Sequence, residues 1–288
     1  MKSSSFAYER PTDVQQALAS KARWGLSAKY LAGGQSLIPA MNMRFNSSTC
    51  LIDLNGIKSL RGIREDGGDL IIGALTRHEE VASSDLVQKK IPLLVQASRY
   101  LAHVAIRNRG TFGGSVALAH PDAEWPAACL LLNARMRIAS PNGAREVPAS
   151  EFFQGLYATA LQEDDLLESI AISVQSPKER SCVLELARRH GDFATAAVMA
   201  RAQVENGSLK HFAIIFFAVG DLPLCDKELD KSIQQIIDGG GDLSQIPDVV
   251  KTALMKQNLR ADLYSNQKTK LHLCSVLARR AVEKLLEI

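Results

Sequence analysis

Two short stretches of this chain hold the residue types that bind phosphate. Ala32-Gly33-Gly34-Gln35-Ser36 and Arg109-Gly110-Thr111-Phe112-Gly113-Gly114-Ser115 each set paired glycines beside hydroxyl side chains. Glycine has no Cβ, so a backbone there can approach a ligand closely. Successive backbone N–H groups next to a helix start favour a negative charge. Neither stretch has G-x-G-x-x-G spacing, and no Gly-Lys-Ser/Thr follows, so the Rossmann and P-loop readings both fail. A plain strand-to-helix turn accounts for either stretch taken singly. Two such loops in separate units could face each other across one ligand. A dinucleotide, with its pyrophosphate and two ring systems, could use both.

Other chemistries find little support. The six histidines show no HxxxH spacing and the five cysteines include no CxxC pair. A protein-held metal or a cysteine-ligated cluster is therefore not expected. No nucleophile elbow or credible catalytic triad is present. Lys and Arg number 34 against 31 Asp and Glu, without a long block of one sign, which argues against a nucleic-acid binder. The widely spaced cysteines suit isolated buried thiols in a reducing cytoplasm. The start of the chain has no apolar run fit for a signal peptide. The most apolar segment, His211 to Val219, is too short for a membrane span.

The elements that must position the loops read as three units. Phe6–Tyr8, Lys29–Leu31 and Cys50–Leu54 have strand character. A helix between the first two opens at Pro11-Thr12-Asp13 with Thr12 as its cap, and a short helix runs from Ser36 to about Met43. The first glycine loop thus lies between a strand and a helix. In the second unit, Asp66-Gly67-Gly68 joins strands Gly62–Arg64 and Leu70–Ile72. Pro141-Asn142-Gly143 likewise joins Arg135–Ala139 and Arg145–Val147. Helices are expected over Thr76–Ala82, Pro92–Val104 and Asp122–Leu132, and a closing strand over Asp165–Val174. In the last third, Val183–Arg188, Ala194–Glu205 and Leu209–Val219 read as antiparallel strands, with a turn at Asn206-Gly207. Helices follow over Glu228–Ile237 and Lys268–Leu286.

Three strings carry a family resemblance. Leu31-Ala32-Gly33-Gly34-Gln35-Ser36-Leu37 and Arg107-Asn108-Arg109-Gly110-Thr111-Phe112-Gly113-Gly114-Ser115 resemble the two FAD loops of molybdenum hydroxylase flavin subunits, of the carbon monoxide dehydrogenase and xanthine dehydrogenase type. Ala187-Arg188-Arg189-His190-Gly191-Asp192-Phe193-Ala194 resembles the start of that family's C-terminal domain. The resemblance implies an α+β protein with a p-cresol methylhydroxylase-type FAD-binding fold. Two small α/β subdomains, residues 1–56 and 57–176, would clasp the flavin. A C-terminal domain, 177–288, with a small antiparallel sheet and helices, would close over it.

It also implies roles. Ala32 to Ser36 would wrap the FAD pyrophosphate, with Leu31 and Leu37 also at the cofactor, and Thr111, Gly113, Gly114 and Ser115 would form the other side of the clamp. Glu124 would accept hydrogen bonds from ribityl or ribose hydroxyls; an exposed first-turn acid is the plain alternative. Asp192 and Phe193 would stand near the isoalloxazine, although an aromatic buried between strands also explains Phe193. Ser115 stands where relatives often have Asn or Asp, and His120-Pro121-Asp122 replaces a commoner Asp-Pro pair. No residue of this chain is expected to be catalytic or to hold metal. FAD would be bound non-covalently. Molybdopterin and two-iron clusters would sit in partner subunits, an iron–sulfur small subunit and a molybdopterin large subunit, in a cytoplasmic dimer of heterotrimers. The external acceptor would be NAD, a quinone or oxygen.

A stand-alone FAD oxidase of the same fold is the main alternative, and a scaffold that has lost its cofactor is the other. Intact glycines argue against the latter, and the lack of an evident base over the flavin argues against the former. Replacing Gly34 with Val should sharply reduce the FAD retained by folded protein, read from the absorbance ratio of flavin to protein; full flavin content would remove Gly34 from the site.

Overall fold

All four residues of Cys50–Asp53 are buried, and this strand is the centre of the first sheet. In the computed structural model, which describes residues 2–205 and 208–287, Ala7–Glu9 and Ala28–Leu31 flank it and run parallel to it. Parallel pairing requires crossover connections. Helix Val14–Trp24 makes the first, burying Ala17 and Leu18 against the sheet. The first glycine loop and helix Leu37–Asn42 begin the second. Asp13, and not Thr12, caps Val14–Trp24: its carboxylate accepts the Gln16 N–H at 2.8 Å. Thr12 instead donates its own N–H to the Gln16 side chain.

The second sheet has five strands, in the order Ile63–Asp66, Asp69–Gly73, Leu166–Ser173, Arg135–Ser140, Gly143–Pro148. Every pair is antiparallel. Both expected hairpins form, and the closing strand enters between them. Gly67 and Gly68 have φ of +58° and +89°, which a two-residue turn between such strands demands. The helices depart from the sequence reading in several places, and Ala149–Phe152 and Ile246–Leu254 have no counterpart in it. Pro92–Ser98 stops early, and Val104–Arg107 is a separate turn beyond Ala102, whose φ is +32°. Asp85–Lys90, capped by the Ser84 hydroxyl, has no counterpart in the expectation. The glycine-rich stretch is itself helical from Phe112 to Leu118, with Thr111 as its cap. Apolar side chains decided that last element, because Phe112 and Val116 are fully buried in the central core.

The third sheet is antiparallel, in the order Glu179–Ala187, Ala194–Glu205, Ser208–Phe217, Leu224–Cys225. The expected Asn206-Gly207 turn lies outside the described residues. Alternate residues of Ala194–Glu205 enter two cores. Ala196, Val198 and Ala200 pack with the helices Lys227–Asp238, Ile246–Leu254 and Gln267–Leu286. Ala197 and Met199 join Leu94 and Trp125 in the core of the second unit. A strand covered on both faces reads as a near-continuous apolar run, which is what the middle of this segment, Ala196–Ala200, is. Four cysteines are buried, whereas Cys225 is exposed. Among the described residues, no helix is long and apolar enough to cross a membrane.

His78 sits under the second glycine stretch. It is 5% exposed, and its Nδ1 accepts the Trp125 indole N–H at 2.9 Å. Burial, and then the nearby Arg77 and Arg107 cations, lower its pKa from 6.5 to about 4. The unfolded chain therefore takes up a proton near pH 6.5 that the fold refuses until about 4. Stability from this group is complete above pH 6.5 and drains away as pH falls toward 4, by at most about 3 kcal/mol. Buried Glu124 and half-buried Glu185 and Asp230 have pKa values raised by desolvation and act in the opposite sense. The contribution of His78 is thus read as a difference. His78→Gln keeps an acceptor for Trp125 and should lose less stability than wild type between pH 6.5 and 4 in denaturant titrations; parallel pH profiles would show that His78 titrates normally.

Candidate functional site

Strand Ala28–Leu31 delivers the chain to a turn at Ala32–Ser36, and Leu37 starts the next helix. Gly34 turns the backbone with φ +72°, a region that costs an L side chain energy. A Cβ there would meet Ile38 and Leu31 side chains, each at 3.2 Å. The loss of flavin expected for Gly34→Val thus comes from strain in the turn and crowding against Ile38 and Leu31. Gln35 braces the loop through its amide N–H to the Gly33 carbonyl at 3.0 Å. Ser36 stands at the helix cap position without using its hydroxyl there. The backbone N–H groups of Gly33, Gly34, Gln35 and Ser36 donate to no group among the described residues. Four consecutive free donors ahead of a helix form an anion-binding concavity.

The second stretch is built differently. Segment 74–78 pairs with it: Gly113 N donates to Ala74 O at 2.9 Å, Phe112 N to Thr76 O at 2.8 Å and His78 N to Gly110 O at 3.1 Å. Gly114 N donates to the Thr111 hydroxyl and Ser115 N to the Thr111 carbonyl, both at 3.1 Å. The N–H groups of Gly113 and Gly114, expected to face a phosphate, are thus engaged within the protein. Gly113 is glycine for packing, since a Cβ would stand 2.4 Å from Ala74 Cβ. This stretch is the wall of the site, and the first loop supplies its donors.

The two meet directly. A Cβ on Gly33 would lie 2.4 Å from the Arg109 carbonyl oxygen and 2.7 Å from Gly110 Cα. Two adjoining clefts open at this contact and share Ala32, Gly33, Asp53, Asn55 and Arg109. One, of about 470 Å³, is lined by Arg10, Asp53, Asn55, Arg61, Arg77 and Arg109 together with Ala32 and Gly33. The other, of about 490 Å³, is lined by Tyr8, Gly34, Gln35, Ile38 and Pro39 among others. Four arginines against the single carboxylate of Asp53 give the first cleft an excess of positive charge. Burial, followed by the Arg61 cation, lowers the Arg77 pKa. An anion at Ala32–Ser36 would relieve that repulsion.

Glu124 opens the helix Glu124–Leu131 and is 7% exposed, so it is not the surface acid of the plain alternative. Burial raises its pKa to about 7. Glu185, from the third sheet, is raised to about 8 by burial and then by Glu124, and its Oε2 has no hydrogen-bond partner among the described residues. Carboxyls so placed need donors. Asp192 and Phe193 lie in the turn between the strands Glu179–Ala187 and Ala194–Glu205, and both are exposed. Phe193 is not buried between strands: its ring stacks on His120 at 4.2 Å with planes 3° apart. His120 lies just past the helix that Thr111 caps. Seven residues of helix separate the two ends by about 10 Å, so the predicted residues line a path rather than a point.

Asn55, Arg61 and Arg77 line the first cleft, and no motif marks them in the sequence. Asn55 reads as a turn residue before Gly56, and Arg77 as the start of a helix. A polar residue two positions past the buried strand Cys50–Asp53, next to Gly56, is the one available signal.

The residues present suit a dinucleotide with a pyrophosphate and a hydroxylated chain. Free donors and arginines match the phosphates, buried carboxyls match the hydroxyls, and an exposed aromatic stack stands at the far end. Residues 4–174 match the family described as the FAD binding domain in molybdopterin dehydrogenase. The chain belongs to that family and is an FAD-binding subunit of a molybdenum-containing oxidoreductase. It is 39% identical over 209 residues, 73% of each chain, to the carbon monoxide dehydrogenase medium chain of Hydrogenophaga pseudoflava. It is 36% identical over 225 residues to caffeine dehydrogenase subunit beta of Pseudomonas sp. (strain CBB1), covering 78% of this chain and 76% of that one. Among solved structures, carbon monoxide dehydrogenase from H. pseudoflava aligns with a TM-score of 0.94 and 31% identity, over 100% of this chain and 99% of that one. Quinoline 2-oxidoreductase from Pseudomonas putida 86 aligns with a TM-score of 0.92 and 30% identity, over the same shares. The resemblance carried by three motifs therefore extends over the whole chain.

Because both atoms that a Gly33 Cβ would strike are backbone, neither can rotate away. Gly33→Ala should force the loops apart at a cost of about 1–3 kcal/mol. Purified Gly33→Ala should retain roughly tenfold less flavin than wild type, read from the ratio of visible to ultraviolet absorbance. Equal ratios would show that the loop contact does not matter for binding.

Proposed function

We propose that this chain receives electrons from an iron–sulfur partner subunit and delivers them through bound FAD to an external acceptor such as NAD, a quinone or oxygen. The observation that carries this reading is the run of four unpaired N–H groups, Gly33 to Ser36, beside an arginine-lined cleft. The flavin would supply the redox chemistry, and the protein would bind, orient and tune it. Gly33, Gly34, Gln35 and Ser36 would hold the pyrophosphate, with Leu31, Ala32 and Leu37 shaping that loop. Thr111, Gly113, Gly114 and Ser115 would form the facing wall. Buried Glu124 would accept the hydroxyls of the ribityl or ribose unit. Asp192 and Phe193 would border the isoalloxazine.

Residues 1–56 and 57–176 would act as the two FAD-binding subdomains, and 177–288 as the domain that closes over them. Relatives of similar identity belong to enzymes named for carbon monoxide and for caffeine. Such different substrates point to a substrate pocket on another chain, here a molybdopterin large subunit joined by an iron–sulfur small subunit. A cytoplasmic dimer of heterotrimers is the assembly this reading favours.

Two measurements test the proposal. Acid precipitation of the purified chain should leave the yellow chromophore in the supernatant; colour in the pellet would mean a covalent bond. The lone chain loaded with FAD should show no flavin bleaching with carbon monoxide, aldehydes or N-heterocycles under anaerobic conditions. Bleaching without the partner subunits would make it a stand-alone dehydrogenase.

A further inference from the structure

Asn55 and Arg77 join the two glycine stretches through side chains alone. The Asn55 amide Nδ2 donates to the carbonyl of Ala32, in the first loop, at 2.8 Å. Its Oδ1 accepts from Arg77 Nη2 at 2.7 Å, and more weakly from Arg61 at 3.2 Å. The other Arg77 nitrogen, Nη1, donates to the carbonyl of Arg109, in the second stretch. A continuous chain of hydrogen bonds thus runs from Ala32 O through Asn55 and Arg77 to Arg109 O. It spans the contact where Gly33 meets that same Arg109 carbonyl.

The orientation of the relay is fixed from below. Asp53 Oδ1 accepts from both the Asn55 backbone N–H, at 3.0 Å, and its Nδ2, at 2.6 Å. The Tyr8 hydroxyl binds the other oxygen of the same carboxylate. With Nδ2 held toward Asp53 and Ala32, the amide oxygen can only face the arginines. Arg77 is suited to its place because a planar guanidinium presents several donors in a fixed fork. A lysine ammonium is a point charge on a flexible stem and cannot reproduce that fork.

We propose that Arg77, acting with Asn55, is a positioning residue that locks the two glycine stretches at the separation FAD requires. This rests on the reading of the cleft as an FAD site. Neither side chain belongs to the glycine motifs. The relay acts on carbonyls, so it leaves the four free N–H groups of Gly33–Ser36 available and holds them in register with the wall formed by Thr111–Ser115. Charge is a separate contribution: Arg10, Arg61 and Arg109 also line the cleft and would remain after Arg77 is changed.

The test is FAD titration of the flavin-stripped chain, followed by fluorescence quenching, alongside melting of the flavin-free protein. Arg77→Met and Asn55→Ala should each weaken FAD binding roughly ten- to hundred-fold, the loss expected for hydrogen bonds involving a charged group. The double variant should be no weaker than the weaker single variant, since either change breaks the same relay. Arg77→Lys keeps the charge and should still bind at least roughly tenfold more weakly than wild type; it also serves if Arg77→Met does not fold. Wild-type affinity in Arg77→Lys would assign Arg77 a purely electrostatic role and overturn the inference. So would losses that multiply in the double variant. Wild-type protein that binds no FAD would defeat the functional reading itself, and wild-type protein that binds FAD as tightly as all three variants would defeat only the relay.

Discussion

The backbone of Gly33 touches the backbone of Arg109 and Gly110 with no space for a methyl group between them, since an added Cβ would lie 2.4 Å from the Arg109 carbonyl oxygen. Much else in the N-terminal part of the molecule serves that contact. The parallel strand Ala28–Leu31 aims the first loop at it. Segment 74–78 holds the second stretch against it through three backbone hydrogen bonds. His78 fills the space beneath Gly110, where a Cβ would come within 2.6 Å of the imidazole. Trp125 in turn fixes that imidazole, so the central core reaches the site through one buried indole. Two loops of ordinary sequence become a clamp because rigid elements press them together.

The division of labour within the clamp follows from hydrogen-bond accounting. A buried N–H needs a partner. The second stretch satisfies its own donors by adopting a capped helical turn and pairing with segment 74–78. The first loop cannot do so, because Gly34 turns it away from helical geometry until Leu37. Its donors are left for a ligand, with positive charge from the cleft arginines close by. Farther along, Glu124 and Glu185 press two carboxyls into low-dielectric surroundings, where burial raises the pKa of both. Glu124 comes from a helix of the second unit and Glu185 from the third sheet, so the closing of the third unit on the second creates that environment. Neutral carboxyls there can donate as well as accept hydrogen bonds.

The third unit also shows how packing joins the halves of the chain. Ala194–Glu205 sends alternate side chains into the central core and into the helical layer of residues 227–286. Its small residues let helices approach on one face and the second unit on the other. Phe193, one position before this strand, is thereby presented to His120 as an exposed stack. The strand sets the distance between a C-terminal aromatic and an N-terminal helix end.

By itself, the sequence was enough for the longer strands, the two hairpins of the second unit and the location of the first loop, but not for the short strands Phe153–Gly155, Ala158–Thr159 and Leu224–Cys225. The former depend on local properties: short apolar runs between turn signals, Gly67 and Gly68 in a tight turn, and paired glycines between a strand and a helix. Its motifs, in order, also carried the family. It was not enough for the helical nature of Phe112–Leu118, because glycines suggest a loop until Phe112 and Val116 find a core to enter. The cap at Asp13 instead of Thr12 turned on which side chain could reach Gln16 N once the strand before it was in place. Asn55 and Arg77 were illegible for the same kind of reason. Twenty-two positions separate them, and nothing in either neighbourhood encodes their meeting. Only the stacking of the first unit on the second brings an amide and a guanidinium together across two carbonyls. Which donors stay free, and which carboxyls lose water, are consequences of that stacking, and therefore of tertiary structure alone.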